Sequence, residues 1–188
     1  MAAIDIAKAL GATVIACASS SAKLAACKEA GADIVINYTQ GDFRKSIKQS
    51  LSDLGIDGVD VVYDPVGGQF AEPSMRSLAW GGRYLVVGFA AGGTTPASAI
   101  PKMPLNLALL SERKILGVFW GAWKMMDNNE TNGQNIAKMM AMIQQGKLNP
   151  VVSHIFPLAE FKGAFQALAG RRVIGKIQVD PTKARAKL

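Results

Sequence analysis

Short apolar runs rich in valine and isoleucine alternate with helix-forming stretches through most of this chain, and that alternation constrains its fold more than any other feature. The runs are Thr13–Ala18, Asp33–Asn37, Val59–Asp64, Arg83–Gly88 and Ile115–Phe119. Each is brief and apolar on both sides, as expected of a strand whose two faces are covered by helices. A helix over Ala3–Leu10 comes first. Ser21 caps a second over Ala22–Ala30, which Gly31 ends in a left-handed conformation. Asp42 caps a third, whose apolar face is Phe43, Ile47, Leu51 and Leu54. Gln69–Ala79 reads as a weaker helix, broken or delayed by Pro73. Strands separated by helices must run parallel with right-handed crossovers, so the fold class is α/β, a doubly wound parallel sheet.

Beyond these elements, Ala90–Pro104 reads as a long loop after a strand end, a position that borders ligand in open α/β sheets. Thr131–Gln145 is an amphipathic helix, with Ile136, Met139, Met140 and Ile143 on one face and the methionine pair as core filling. A strand at Val152–Phe156, a helix at Leu158–Leu168 and a strand at Ile174–Val179 follow.

Composition removes several function classes. No apolar run reaches the roughly 18–20 residues of a membrane span, and Asp5 and Lys8 within Met1–Leu10 do not suit a signal peptide. The two cysteines, Cys17 and Cys27, and the single histidine, His154, leave no ligand set for a structural zinc and argue against a catalytic one. The cysteines read as buried free thiols of a reducing compartment. The net charge is +7, but the basic residues are scattered and lack aromatic interleaving, so no nucleic-acid surface emerges. A polyanionic small ligand or a basic tail (Lys183, Arg185, Lys187) accounts for the charge equally well.

The end of the second strand of a doubly wound sheet selects the cofactor. An acidic residue there takes the adenosine ribose of NAD, and its absence beside a cation admits the 2′-phosphate of NADP. Here the first run of this chain leads into Ala18-Ser19-Ser20-Ser21-Ala22-Lys23, with hydroxyl donors, a cation and no acid. The same residues also suit a serine cap followed by a solvent-facing lysine. Tyr38, at the end of the next strand, is placed either to flank the phosphate or simply to pack. The turns Asp64-Pro65-Val66-Gly67-Gly68 and Gly88-Phe89-Ala90-Ala91-Gly92 close strands at the end where such sheets bind ligand. No nucleophile–base pair is evident, His154 has no carboxylate partner, and Asp64 reads as a turn cap rather than a base. That pattern suits hydride transfer, in which the cofactor carries the chemistry.

The stretches AAIDIAKALGATVIA, KLAACKEAGADIVINY, GVDVVYDPVGG, RSLAWGGRYLVVGFAAG, HIFPLAEFKGAFQAL and RRVIGKIQV follow one another in a distinctive order and spacing. Jointly they resemble the cofactor-binding half of the medium-chain dehydrogenases/reductases, on the zinc-independent quinone oxidoreductase (zeta-crystallin-like) branch. The resemblance implies NADPH-dependent reduction of quinones or other activated carbonyl compounds, with a non-catalytic truncated remnant of that family, without turnover of its own, as the alternative. It implies that Ser19, Ser20, Lys23 and Tyr38 surround the 2′-phosphate, and that Val66, Gly88, Phe89, Phe119 and Trp120 face the ribose and nicotinamide. Arg171 matches an arginine that reaches back to the cofactor. Pro65 stands where such proteins often carry a serine, which removes one ribose hydrogen bond. No catalytic side chain and no metal ligand carries over. The resemblance also implies a homodimer through the strand at 115–119.

The departures from that pattern are specific. The sheet lacks its first strand and the glycine-rich loop that should immediately precede Ala2, and the catalytic domain that lines the substrate pocket is not represented. In the strand order 3-2-1-4-5-6 the missing strand is central, so two ladder edges and an apolar trench are expected to lie exposed. Residues 1–150 then form an incomplete NADP-binding Rossmann domain. Residues 151–181 form a strand–helix–strand expected to return to the catalytic domain, and residues 182–188 a basic tail. The terminal Ala186-Lys187-Leu188 is a conservative variant of the Ser-Lys-Leu peroxisomal address, so a peroxisomal location is expected, with the cytoplasm as the alternative.

Overall fold

The computed structural model describes residues 1–91, 100–126, 129–170 and 173–183. In chain order its elements are α1 (Ala2–Ala9), β1 (Ile15–Ala18), α2 (Ser21–Glu29), β2 (Ile34–Asn37), α3 (Phe43–Leu54) and β3 (Val59–Asp64). A 3-10 turn (Gly68–Phe70) leads to α4 (Ala71–Arg76), β4 (Leu78–Val86), α5 (Asn106–Leu109) and β5 (Lys114–Gly117). Then come α6 (Trp120–Met126), α7 (Asn129–Gln144), β6 (Val152–Pro157), a 3-10 turn (Leu158–Glu160), α8 (Phe161–Ala169) and β7 (Lys176–Asp180). The chain forms two compact units, Met1–Val35 with Ile136–Leu188, and Ile36–Asn135.

In the first unit Ile4 of α1, Ala16 of β1, Cys27 of α2 and Ala32 are buried together, with Met1, Val14, Ala30 and Val35 packed against them. Gly31 takes φ +95° and lets the chain leave α2, while the Ala32 amide donates back to the Cys27 carbonyl at 2.9 Å. Later in this unit β6 and β7 pair in parallel with each other, from Val152↔Lys176 to Pro157↔Asp180. Cys27 is buried as expected, but Cys17 is exposed, because it points away from the core that Ala16 and Ala18 enter on the alternate side of β1.

The second unit is built on the parallel ladder β3–β4–β5. Its register sets Val62, Tyr84 and Ile115 side by side, and likewise Asp64, Val86 and Gly117. Ala71 and Met75 of α4 and Leu107 of α5 close over Leu78 and Tyr84 to make its core. Asp42 caps α3 as its sequence position suggests, accepting from the amides of Arg44 at 2.9 Å and Lys45 at 3.2 Å. Gly58 lies so close to Leu78 and Ala79 that a Cβ there would overlap their backbone. Only glycine allows β3 to start beside β4.

The strands pair as three separate ladders, β1–β2, β3–β4–β5 and β6–β7, and among the described residues no hydrogen-bonded ladder joins β1 to β3. Among the described residues, α4 and the helix at Asn106–Leu109 pack on the face of the second ladder that carries Leu78 and Tyr84. Val61, Tyr63 and Leu116 are exposed on the other, so the expectation of strands buried on both faces fails there. β4 begins at Leu78 rather than Arg83, because the Val59 amide already donates to Ser77 at 2.9 Å and starts the ladder early. The helix expected over Gln69–Ala79 is therefore confined to Ala71–Arg76, with Pro73 tolerated in its first turn. The short helices α5 and α6 were not apparent in the sequence pattern. Met139 and Met140 of α7 are exposed, not core filling, since α7 buries only Asn132 among its described residues. Among the described residues no helix is long and apolar enough to cross a membrane.

Candidate functional site

At the end of β1 the chain turns through Ser19 and Ser20 into α2. Ser20 has extended backbone angles and is the helix cap, its hydroxyl oxygen accepting from the Lys23 amide at 3.4 Å. The cap is thus one residue earlier than Ser21, because the helix already includes Ser21. The Ser20 hydroxyl keeps its own hydrogen for an outside acceptor. There is no acidic residue in the first turn of α2, and Lys23 is half-buried there. Among the described residues its ammonium has neither an ion-pair nor a hydrogen-bond partner. A helix N-terminus carries partial positive charge, so the Ser20 cap hydroxyl and an uncommitted lysine together favour an anion.

Tyr38 follows β2 in the second unit. Its ring leans on Phe70 at 4.7 Å between centroids, and Phe43 meets the same Phe70 edge-on at 5.4 Å. Within that unit Tyr38 is a packing residue, fixing α3 against the turn after β3.

The ends of β3, β4 and β5 form one rim. The Val87 amide donates to the Asp64 carbonyl at 2.9 Å, Ala90 to Pro65 at 3.1 Å, and Ala91 to Val66 at 2.8 Å. Val118 donates to Val86 at 2.9 Å and adds the end of β5. Gly68, at φ +60°, permits the close approach of the two turns, since a Cβ there would come within 2.8 Å of the Ala91 methyl. Val66, Gly88 and Phe89 therefore share one stitched segment. Phe89 is 43% exposed, Phe119 77% and Trp120 62%, leaving an apolar margin open to a flat ring. Behind it lies a cavity of about 140 Å³ lined by Asp64, Tyr84, Val86, Phe89, Met103 and Ile115.

The Asp64 carboxylate caps the rim's first turn. One oxygen accepts from the amides of Val66 at 2.8 Å and Gly67 at 2.9 Å, and the other from the Tyr84 hydroxyl. Burial, then the Asp64 hydrogen bond and charge, push the Tyr84 phenol well above its ordinary value, so it remains a donor. The sequence pointed to Asp64 but not to Tyr84. The signal was present, since a tyrosine two residues before Val86 on the neighbouring strand shares Asp64's face once the register is known.

Elsewhere the structure supplies no acid–base machinery among the described residues. His154 Nδ1 lies 2.9 Å from the Ser153 hydroxyl oxygen and its ring stacks on Phe156 at 6.1 Å. Arg171, Gly92 and the terminal Ala186-Lys187-Leu188 lie outside the described residues, as does most of the loop expected at Ala90–Pro104.

Residues 1–141 match the family model described as zinc-binding dehydrogenase. Among the described residues no group of three His, Cys, Asp or Glu side chains could hold a metal, so no step is assigned to zinc. The chain is 34% identical over 178 residues to quinone oxidoreductase-like protein 2 of Bos taurus, covering 94% of this chain and 48% of that protein. It is 29% identical to a 2-haloacrylate reductase of a Burkholderia species, covering 93% and 50%. A quinone oxidoreductase of Thermus thermophilus, solved alone and with NADPH, superposes with a TM-score of 0.75 at 27% identity, covering 95% of this chain and 53% of that one. A mycobacterial quinone oxidoreductase superposes with a TM-score of 0.80 at 25% identity, covering 96% and 52%. The chain thus spans about half the length of the relatives it matches. With the Rossmann-type ladder, the rim at its strand ends and these matches together, the chain belongs to the zinc-binding dehydrogenase family, on the quinone oxidoreductase-like branch of the medium-chain dehydrogenases/reductases.

Proposed function

We propose that this chain is the cofactor-binding part of an NADPH-dependent reductase of quinones or other activated carbonyl compounds. The observation that carries the NADP assignment is the start of α2, where Ser20 and Lys23 meet a helix N-terminus that has no acid in its first turn. An adenosine 2′-phosphate adds charge that an aspartate or glutamate there would repel and that Lys23 attracts. The reductase names of the relatives and the NADPH complex of the Thermus thermophilus neighbour support the same reading.

The bound nicotinamide would supply the hydride. Ser19, Ser20 and Lys23 hold the adenosine end, with Tyr38 and Arg171 as further contacts by resemblance. Val66, Gly88 and Phe89 give the ribose and nicotinamide a rigid backbone seat, and Phe119 and Trp120 offer apolar cover against water. Pairing of two copies through residues 115–119 and peroxisomal delivery by the C-terminal tripeptide are parts of the same proposal. Because the chain spans about half of its relatives, turnover is assigned to the whole enzyme, and the 188-residue chain alone is expected to keep the fold without turnover.

The test uses adenosine fragments. Titrating the chain with 2′,5′-ADP and with 5′-AMP, followed by the amide signals of Ser20, Ser21 and Lys23, should show the tighter saturation with 2′,5′-ADP. Equal affinities would overturn the NADP assignment.

A further inference from the structure

A pair of adjacent amides converging on one point is an anion-binding concavity in many proteins. The rim contains such a pair at Val66 and Gly67, following a strand end where phosphates commonly bind. In this chain the pair is already filled. The Asp64 carboxylate accepts both amides through one oxygen, and its second oxygen is claimed by a tyrosine hydroxyl. Tyr84 is only 2% exposed and is packed among Ala71, Met75, Leu78 and Leu107, so it has little freedom to release that bond.

We propose that Asp64, anchored by Tyr84, is a positioning residue that stands in the place of an anion at the Val66–Gly67 amides and so bars phosphate from this turn. Resting on the function proposed above, this makes the rim a seat for the phosphate-free end of the dinucleotide. An incoming phosphate would lose the amides as donors and meet a fixed negative charge. The ribose and the reduced nicotinamide ring carry no negative charge, so Asp64 does not repel them. Gly68 serves the turn's close approach to Ala91, not a ligand's phosphate.

The test follows the Val66 and Gly67 amides of the labelled chain by nuclear magnetic resonance during titration with inorganic phosphate at constant ionic strength. In the native chain neither signal should shift saturably. Asp64→Ala frees both donors and should bind phosphate at those amides about tenfold more tightly. Asp64→Asn keeps an acceptor in place and should remain as insensitive as the native chain. Tyr84→Phe removes only the anchor and should speed hydrogen exchange at Val66 and Gly67 about fivefold, the worth of one hydrogen bond, while leaving the Ala32 amide unchanged.

Saturable shifts in the native chain, no gain in a folded Asp64→Ala, or unchanged exchange in Tyr84→Phe would each overturn the proposal. If Asp64→Ala does not fold, the native chain and Tyr84→Phe decide it. None of these readouts touches Ser20 or Lys23, so loss of the 2′-phosphate preference would defeat the functional reading and leave this result standing.

Discussion

The ammonium of Lys8 lies 2.9 Å from the Asp33 carboxylate and ties the end of α1 to the start of β2. Asp33 also accepts from the Val14 amide at 2.7 Å, and Lys8 reaches the Ala12 carbonyl at 3.1 Å. The Val14 amide first, then Lys8, hold the Asp33 carboxyl below the usual carboxylate range. A lowered folded value means this contribution is present above the ordinary aspartate value and is lost as pH falls through the folded one. Acid unfolding followed by circular dichroism should therefore soften below about pH 4, and Asp33→Asn should remove that part of the acid sensitivity. An unchanged acid limb in Asp33→Asn would refute the assignment.

The second unit depends on Leu78, which is buried beside Met75 and Tyr84. Leu78→Ala leaves a cavity that α4 cannot readily collapse into, because Pro73 and the turn at Gly68–Phe70 fix its approach. The expected loss is about 2–5 kcal/mol, read from the midpoint of urea unfolding. A shift below about 1 kcal/mol would mean that the core packs more loosely than described.

Lys23 offers a sharper test of cofactor choice than any family likeness. Lys23→Ala should weaken 2′,5′-ADP about tenfold, the worth of one charge-assisted hydrogen bond, and leave 5′-AMP nearly unaffected. Calorimetric titration of both ligands measures this. Equal losses would show that Lys23 is simply a solvent-facing helix residue.

Much of this fold was legible because its signals are local. Asp42 announces α3 by its position before an apolar face, and Gly31 marks the end of α2 by the left-handed turn that only glycine adopts easily. The strand Val59–Asp64 is found at its expected bounds for the same reason. What escaped the sequence was set by neighbours. β4 extends back to Leu78 because Ser77 offers a carbonyl to Val59, and no local pattern around Ala79 or Trp80 signals that bond. Met139 and Met140 follow a core-facing period, yet a period says only that a face is apolar and not that anything covers it. At the candidate site Asp64 was visible as a turn cap, whereas Tyr84 required the register of two strands.

The open face of β3 and β5 carries a liability that can be measured. Val61 and Tyr63 of β3 and Leu116 of β5, with β4 between them, are exposed on a parallel ladder whose β5 edge is exposed along its length. Such a surface favours association of copies. Leu116→Lys places a charge on that face and should lower the association constant in sedimentation equilibrium without changing the far-ultraviolet spectrum. Unaltered association would move the interface away from β5.

Intact NADPH provides the last test, since its affinity depends on more than the adenosine end. A pyrophosphate in this fold class rests on a glycine-rich turn leading into a helix, and the 188 residues contain no G-x-G-x-x-G. The one glycine-rich turn at the described strand ends that presents two converging amides, Val66 and Gly67, has them engaged by Asp64. The pyrophosphate therefore gains little here beyond the start of α2. Binding of NADPH to the isolated chain should be weaker than about 100 μM, which leaves at most roughly 5 kcal/mol of binding free energy. It should exceed that of 2′,5′-ADP by less than tenfold. Fluorescence titration of the reduced nicotinamide measures both quantities. Micromolar affinity would mean that the chain builds a pyrophosphate seat by some other means, and the rim at Asp64–Gly68 would be the first place to look for it.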